Sequence, residues 1–408
     1  MAHLALNGGI PVRTAPFPRW PQGGEAEMEQ LEKVLKAEQW GTLGEEVLAF
    51  ADKFAGYIGA KYGIGVNNGT VSLELILRGL NIGYGDEVIV PSYTFISTAS
   101  AVAMAGATPV FADIESDTYN MDPASIEANI TPRTKAIIAV HVGGRPCDMD
   151  RIMEIAKNHG LYVIEDCAQA HGSQWKGKKV GSIGHAGSFS FQESKNVSCG
   201  EGGAILTNDF ELYKEFWHYH NSGRAYELAG EFGGVMLMGT NGRMAEWEAA
   251  VLTAQLDKLE VQIDTRMENV AYLNERFKEF DFITLLDTND NITRNTYHLY
   301  IMKYDSKKLG GIKRDRFISA MNAEGIPCSK GYVPLYQMDA FQTANFRKST
   351  GSNRNYSSLH LENTEKACKE EALWMPGRLL LGSKMDMDDI IVAMDKVRSN
   401  LAELAERG

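Results

Sequence analysis

Long hydrophobic runs are missing from this chain of 408 residues. No apolar stretch approaches the ~20 residues that cross a bilayer, and the N-terminus lacks the apolar core of a signal peptide. The expectation is a cytoplasmic protein with no membrane partner. Cysteine is sparse: Cys147, Cys167, Cys199, Cys328 and Cys368 are scattered, with no Cys-x-x-Cys spacing. That excludes a disulfide framework or structural zinc, points to a reducing compartment, and leaves no metal site expected. Basic charge is also short, with 41 Lys and Arg against 53 Asp and Glu for a net charge of −12, and no basic run is visible. A nucleic-acid binder needs a basic face to neutralise phosphates, so that class is set aside. No Gly-x-Gly-x-x-Gly follows the first strand and no Gly-x-x-x-x-Gly-Lys-Ser/Thr loop occurs, which removes the usual nucleotide cradles.

What is present is an ordinary globular composition, 44% apolar and 23% charged, long enough for a large domain and a smaller one. The first residues, with Pro11, Pro16, Pro18, Pro21 and Gly23-Gly24, read as an irregular arm. Such an arm either wraps a partner subunit or straps its own domain. Helices are expected over 25–37 and 45–57, with a glycine-punctuated loop over 40–44 between them. From residue 61 short apolar runs alternate with helical spacing, the signature of an α/β layer with a mostly parallel sheet. Strands are expected over 62–67, 87–91, 109–113 and 136–140, with another ending at Asp166 and two flanking Lys195. Helices are expected over 71–80, 149–158 and 210–219. The segment from Gly233 to Met244 leads into a long helical pattern over 245–280. A second α/β module follows, with a strand over 296–302 and helices over 314–324 and 386–406. The division is placed at 1–261 for the arm and large domain and 262–408 for the small one.

Chemistry concentrates around Lys195. An apolar and small run from Gly187 to Phe191 reaches a polar turn with one lysine, and the glycines at 200, 202 and 203 return the chain to a second strand. A lysine held on such a loop, its pKa lowered by its surroundings, can form a Schiff base with an aldehyde cofactor such as pyridoxal 5′-phosphate; a solvated surface amine is the plain alternative. Asp166 ends a buried-type strand shortly before it. A carboxylate there suits a protonated pyridine nitrogen, although a helix cap or turn acid would look the same. Asn68-Gly69-Thr70 opens a helix, whose free N–H groups and positive end can cradle a phosphate or simply be a capped start. Phe95 follows a strand at its C-terminal end, where open α/β sheets place ligands; it can stack on a flat ring or belong to the core.

These residues resemble the DegT/DnrJ/StrS group of pyridoxal-phosphate-dependent sugar and cyclitol aminotransferases. The resemblance rests on Asn68-Gly69-Thr70, Pro91-Ser92-Tyr93-Thr94-Phe95, Asp113-Ile114, the run from Glu165 to Gly172, Ser188-Phe189-Ser190-Phe191-Gln192 with Lys195, Gly200-Glu201-Gly202-Gly203, and Asn241-Gly242-Arg243-Met244. These lie in the family's order over most of the chain. The resemblance implies the aspartate aminotransferase fold, type I, with a large, mostly parallel seven-stranded sheet and a smaller C-terminal α/β domain. It implies Lys195 and Asp166 as catalytic residues. Gly69, Thr70 and Ser190 would hold the cofactor's phosphate, Phe95 would stack on its ring, and Gln169 would bond its 3-oxygen. Asn241 would reach the phosphate of a neighbouring subunit, so a homodimer with shared sites is implied. Arg243 could serve there or form an ion pair at the helix start. His298 and Tyr332 are implied as substrate contacts, with plain packing the competing reading.

A lysine at 195, where some relatives carry histidine and dehydrate, implies transamination. Gln192 stands where many nucleotide-sugar aminotransferases have histidine. It resembles the subgroup that aminates keto-cyclitols, scyllo-inosose or 2-deoxy-scyllo-inosose, with L-glutamine or L-glutamate as donor. A nucleotide-linked keto sugar and aminohydroxybenzoate synthesis remain alternatives. A regulatory paralogue that binds the cofactor without turnover is a further one, against which the retention of both Lys195 and Asp166 speaks.

Overall fold

The computed structural model describes residues 3–41, 44–226, 234–287 and 289–405. Thr42 and Leu43 of the expected loop, Gly233 and the helix end at Glu406 lie outside the described residues. After α1 (Glu25–Ala37) and α2 (Glu45–Ile58), the chain builds a seven-stranded sheet. Its strands are β1 (Tyr62–Val66), β2 (Glu87–Pro91), β3 (Thr108–Ala112), β4 (Thr134–Val140), β5 (Tyr162–Asp166), β6 (Ala186–Ser190) and β7 (Gly203–Thr207), in spatial order β1-β7-β6-β5-β4-β2-β3. The five strands from β2 to β6 pair in parallel. Parallel neighbours need a crossover, which α4 (Ser97–Met104), α5 (Pro123–Ala128) and α6 (Met149–His159) supply between β2 and β5, whereas residues 167–185 cross from β5 to β6 without a helix; α3 (Gly69–Gly79) follows β1. β7 runs antiparallel to both β6 and β1, because the lysine loop that leads into it is a direct return with no helix. The fold is the type I α/β architecture expected, with one reversed strand.

Strands covered on both faces read as continuous apolar runs, and β2, β3, β6 and β7 are buried throughout. Alternation then divides the core. Val88 and Val90 of β2 pack with Leu75 and Ile76 of α3, whereas Ile89 joins Ile137 of β4 and Ile152 and Ile155 of α6 on the other face.

Beyond α7 (Phe210–His220) runs the 32-residue α8 (Glu246–Phe277), within which the expected division at 261/262 falls. The second sheet is antiparallel, β8 (Ile283–Leu285), β9 (Leu299–Tyr304) and β10 (Ala372–Pro376) in that order. β9 starts three residues later than its apolar run, because Tyr297 takes φ +46° and cannot lie in a strand. Helices α9 (Arg314–Ala323), α10 (Ala344–Thr350) and α11 (Glu362–Lys366) follow, then α12 (Lys384–Ser399) and α13 (Leu401–Ala405). The single final helix expected over 386–406 is thus two. Ser383 caps its start two residues early by accepting the Asp386 N–H, and Asn400, at φ −125° and ψ 40°, interrupts it. The N-terminal arm is strapped to these last elements. Leu4 and Phe17 are buried among Val270, Met387 and Ile391, and Arg13 lies 2.6 Å from Asp386 and 2.7 Å from Asp389. Among the described residues no helix is long and apolar enough to cross a membrane.

Candidate active site

Parallel strands present their C-terminal ends on one edge, and β5 carries Glu165 and Asp166 there. The two acids point to opposite faces of the sheet and differ in company. Glu165 is fully buried and accepts the N–H groups of Gly181 (2.8 Å), Ile183 (2.8 Å) and Gly184 (2.7 Å), with His141 Nε2 at 3.2 Å. It and His141 belong, with Cys167, to a buried cluster of potential ligand atoms, but the backbone already satisfies this carboxylate. Asp166, 6% exposed, has less: Thr98 Oγ1 donates to Oδ2 at 2.9 Å and the Ala168 N–H donates to Oδ1 at 3.2 Å. Loss of water by burial pushes its carboxyl above the ordinary carboxylate range; the two hydrogen bonds and the charge of Lys195 oppose this.

Lys195 sits on the loop between β6 and β7, its N–H bonded to the Gln192 carbonyl at 2.8 Å and its own carbonyl accepting Trp20 Nε1–H at 3.1 Å. Burial lowers its ammonium pKa, against the opposing charges of Asp166 and Glu201. Asp166 lies opposite Ser188 on the neighbouring strand β6, whose end leads into the lysine loop, and the charge of each group favours the charged form of the other. Among the described residues no hydrogen bond or ion pair occupies the Lys195 amine. Two histidines stand beside it. His171 is fully buried, donates Nε2–H to the Ser190 carbonyl at 2.9 Å, and is pushed down to about 3 by burial and the Lys195 charge. His298 is held well below its usual value by burial, with Lys195, His171 and Arg266 adding to it.

The start of α3 lies against β6. Asn68 Oδ1 accepts the Val71 N–H at 2.9 Å and its carbonyl accepts that of Ser72 at 3.0 Å, which leaves the Gly69 and Thr70 N–H groups with no acceptor among the described residues. A Cβ at Gly69 would stand 2.7 Å from Ser190 Cβ, so only glycine permits the approach. Thr70 Oγ1 donates to Ser97 Oγ at 2.7 Å, and Ser190 Oγ accepts the Gln192 N–H at 3.4 Å. Two free N–H groups and three hydroxyls thus gather at a helix N-terminus, which suits a phosphate. Phe95 follows β2 and is 57% exposed, outside the core that an aromatic after a strand would ordinarily join.

Gln169 has both ends engaged, Oε1 accepting the Gly143 N–H at 2.7 Å and Nε2 donating to Tyr332 Oη at 2.6 Å. Tyr332 is steadied by Tyr93 and Trp374, with ring centroids 5.4 and 4.6 Å away. Gln192 turns inward on its own loop, its Oε1 accepting the N–H and hydroxyl of Ser194 at 2.9 and 2.7 Å. Asn241 is exposed, on a segment whose next residue, Gly242, bonds the Asn67 N–H at 3.0 Å. Arg243 hydrogen-bonds Asn221 Oδ1 at 3.0 Å and Ser222 Oγ at 3.4 Å, with no helix-start ion pair among the described residues. Sequence reasoning missed Thr98, Ser97, Trp20 and Arg266. The first two carried a weak signal as hydroxyls at a helix start after a strand; the last two carried none.

The pattern of the DegT/DnrJ/EryC1/StrS aminotransferase family matches residues 21–397. The chain belongs to this family. It is a sugar or cyclitol aminotransferase. It is 38% identical to the putative L-glutamine:3-amino-2,3-dideoxy-scyllo-inosose aminotransferase of Streptoalloteichus tenebrarius, over 99% of both chains. It is 36% identical to the L-glutamine:2-deoxy-scyllo-inosose aminotransferase of the same organism, over 98% of this chain and 99% of that one. Among solved structures, 3-amino-5-hydroxybenzoic acid synthase superposes with a TM-score of 0.85 at 31% identity, covering 97% of this chain and 100% of that one. DegT-family aminotransferases use pyridoxal phosphate. The residues present fit that group: a buried acid short of partners for a ring nitrogen, a half-buried amine without one among the described residues, and free N–H groups at a helix start for a phosphate.

Proposed function

We propose that this chain moves an amino group from L-glutamine or L-glutamate to the ketone of a cyclitol of the scyllo-inosose type, using pyridoxal phosphate carried on Lys195. The observation that carries the reading is the adjacency, along one sheet edge, of Asp166 at the end of β5, the lysine loop that leaves β6, and the free N–H groups at the start of α3 packed on Ser190. The names of the full-length relatives support the cyclitol acceptor and the glutamine donor. When bound, pyridoxal phosphate supplies an electron-withdrawing ring and a carbon that takes up amino nitrogen.

Asp166 keeps a proton on the ring nitrogen, steadied in place by Thr98. Lys195 Nζ moves a proton to and from the carbon that bears the transferred nitrogen; burial, by lowering its pKa, enlarges the neutral fraction able to do so. Gly69, Thr70 and Ser190 hold the phosphate, Phe95 covers the ring, and Gln169, itself positioned by Tyr332, meets the ring oxygen. Asn241, exposed on this chain, reaches the phosphate of a second copy, making the working unit a homodimer. Gln192, His298 and Tyr332 border the acceptor, a neutral polyol that needs hydroxyl partners and no grip for a diphosphate. Residues 1–261 and 262–408 act as a large and a small domain that meet at this site.

The test is to convert the loaded enzyme to its amine form with glutamine and follow its spectrum as acceptors are added. Recovery of the aldehyde form with scyllo-inosose or 2-deoxy-scyllo-inosose, with the aminated product found by mass spectrometry, is expected. Recovery with a nucleotide-linked keto sugar alone overturns the cyclitol assignment.

A further inference from the structure

Arg266, on α8, is the bulkiest of the fully buried side chains, 1% exposed. Buried guanidinium groups normally have an acid beside them, because an isolated charge taken from water is costly. Among the described residues no carboxylate lies within ion-pair reach of this one. Its Nε donates to the Gly377 carbonyl at 3.4 Å, and Nη1 has no hydrogen-bond partner. The guanidinium carbon lies 5.4 Å from the centroid of Trp20, the same indole whose N–H holds the Lys195 carbonyl. Burial lowers its pKa to about 10, so it remains a cation at neutral pH.

The charge borders open space. Arg266 lines a cavity of about 290 Å³ together with Trp20, Asn196, His298 and Arg378. Asn196 follows Lys195 in the chain, and His298 feels the charges of both Lys195 and Arg266. The cavity therefore lies between the lysine loop and α8. Among the described residues that line it the one acid is Glu193, which is exposed. A buried fork of donors with an N–H that has no partner, across Trp20 from the loop that carries Lys195 and with no counter-ion among the described residues, suits a planar anion.

We infer that Arg266 binds the α-carboxylate of the amino donor. The inference rests on the aminotransfer reading and adds the residue that recognises the amino acid. A cyclitol ketone carries no anion, whereas L-glutamine and L-glutamate share the α-carboxylate, so this cation separates donor from acceptor within one site. Trp20, wedged between Arg266 and the Lys195 backbone, sets their spacing.

Isothermal titration of the loaded full-length enzyme tests this with two unreactive probes. Glutaramate is glutamine without its amino group, and pentanediamide is its neutral counterpart. The wild-type chain is expected to bind glutaramate and to bind the diamide at least about 10-fold more weakly, the difference a charge-assisted hydrogen bond makes. Arg266→Met is expected to weaken glutaramate by about 10- to 100-fold and leave the diamide and the cofactor content unchanged. Arg266→Lys, which keeps the charge without the fork, is expected to fall between. Equal binding of both probes by the wild-type chain overturns the assignment without any variant having to fold. So does wild-type affinity for glutaramate in a folded, loaded Arg266→Met. If glutamine converts the bound cofactor while glutaramate ignores Arg266, this assignment alone fails; if no amino acid converts it, the aminotransfer reading fails as well.

Discussion

Replacing Thr98 by valine separates the part that holds Asp166 from the parts that hold the rest of the site. Thr98 is 1% exposed on the first turn of α4, and its hydroxyl donates to Asp166 Oδ2 at 2.9 Å while sitting 3.2 Å from the hydroxyl of Thr94. Valine keeps the shape and removes the donor, leaving the buried carboxylate with the Ala168 N–H alone. A hydrogen bond to an ionised group contributes about 1.5–3 kcal/mol, and a neutral one about 0.5–1.5 kcal/mol. The cost therefore depends on the protonation of Asp166. In the chain freed of cofactor, burial holds the Asp166 pKa above its unfolded value of 3.8. Such a group favours the folded state fully below the unfolded pKa, and that contribution is lost as pH rises through the folded one. Thr98 offsets the loss by bonding the ionised form. Urea unfolding of the cofactor-free chains should accordingly show Thr98→Val costing about 1.5–3 kcal/mol at pH 8, and a loss smaller by about 1 kcal/mol once the pH falls below the raised pKa of Asp166. An identical loss at both ends of the range would mean that the hydroxyl does not serve the carboxylate.

Reduction of the loaded enzyme with borohydride should fix one cofactor mass on the wild-type chain and none on Lys195→Ala, read by intact mass spectrometry; a cofactor adduct on the variant would move the attachment to another amine. Gly69→Ala would place a Cβ 2.7 Å from Ser190 Cβ and 3.2 Å from its Cα, so α3 must pull back from β6. Urea unfolding should show a loss of about 1–3 kcal/mol, and cofactor retention on dialysis should fall with it. Full retention of the cofactor would release this turn from the phosphate role.

Legibility in the sequence followed the distance over which each contact closes. The strand ending at Asp166 was readable because its apolar run stops at two acids, and the lysine turn because glycines bracket it; both are local patterns. The seven-stranded sheet followed from alternation of strand and helix, and β2 occupies the 87–91 expected of it. Local conformation against the pattern explains the misses. Tyr297 at positive φ delays β9, and Asn400 breaks a helix whose amphipathic spacing continues. Thr98 resembles any small residue at a helix start, and only its place beside β5, 68 residues further on, gives the hydroxyl its partner.

Trp20 and Arg266 mark the limit of such reading. Trp20 meets Lys195 across 175 residues, and Arg266 meets Gly377 across 111. Neither interrupts a periodicity, and an arginine on a long helix ordinarily faces water. Their contacts exist only because the arm is strapped to α12 through Arg13 and because α8 carries the chain from the large sheet toward the antiparallel one. The reactive half of the site is thus assembled from separate stretches, each with its own local pattern, on the sheet edge, where strand ends bring acid, lysine loop and helix start together. The wall opposite the lysine loop is assembled from the chain's two ends and its longest helix. Chemistry common to a family can reside in the first part with little change, while the donor recognition we infer for Arg266 would rest on the second.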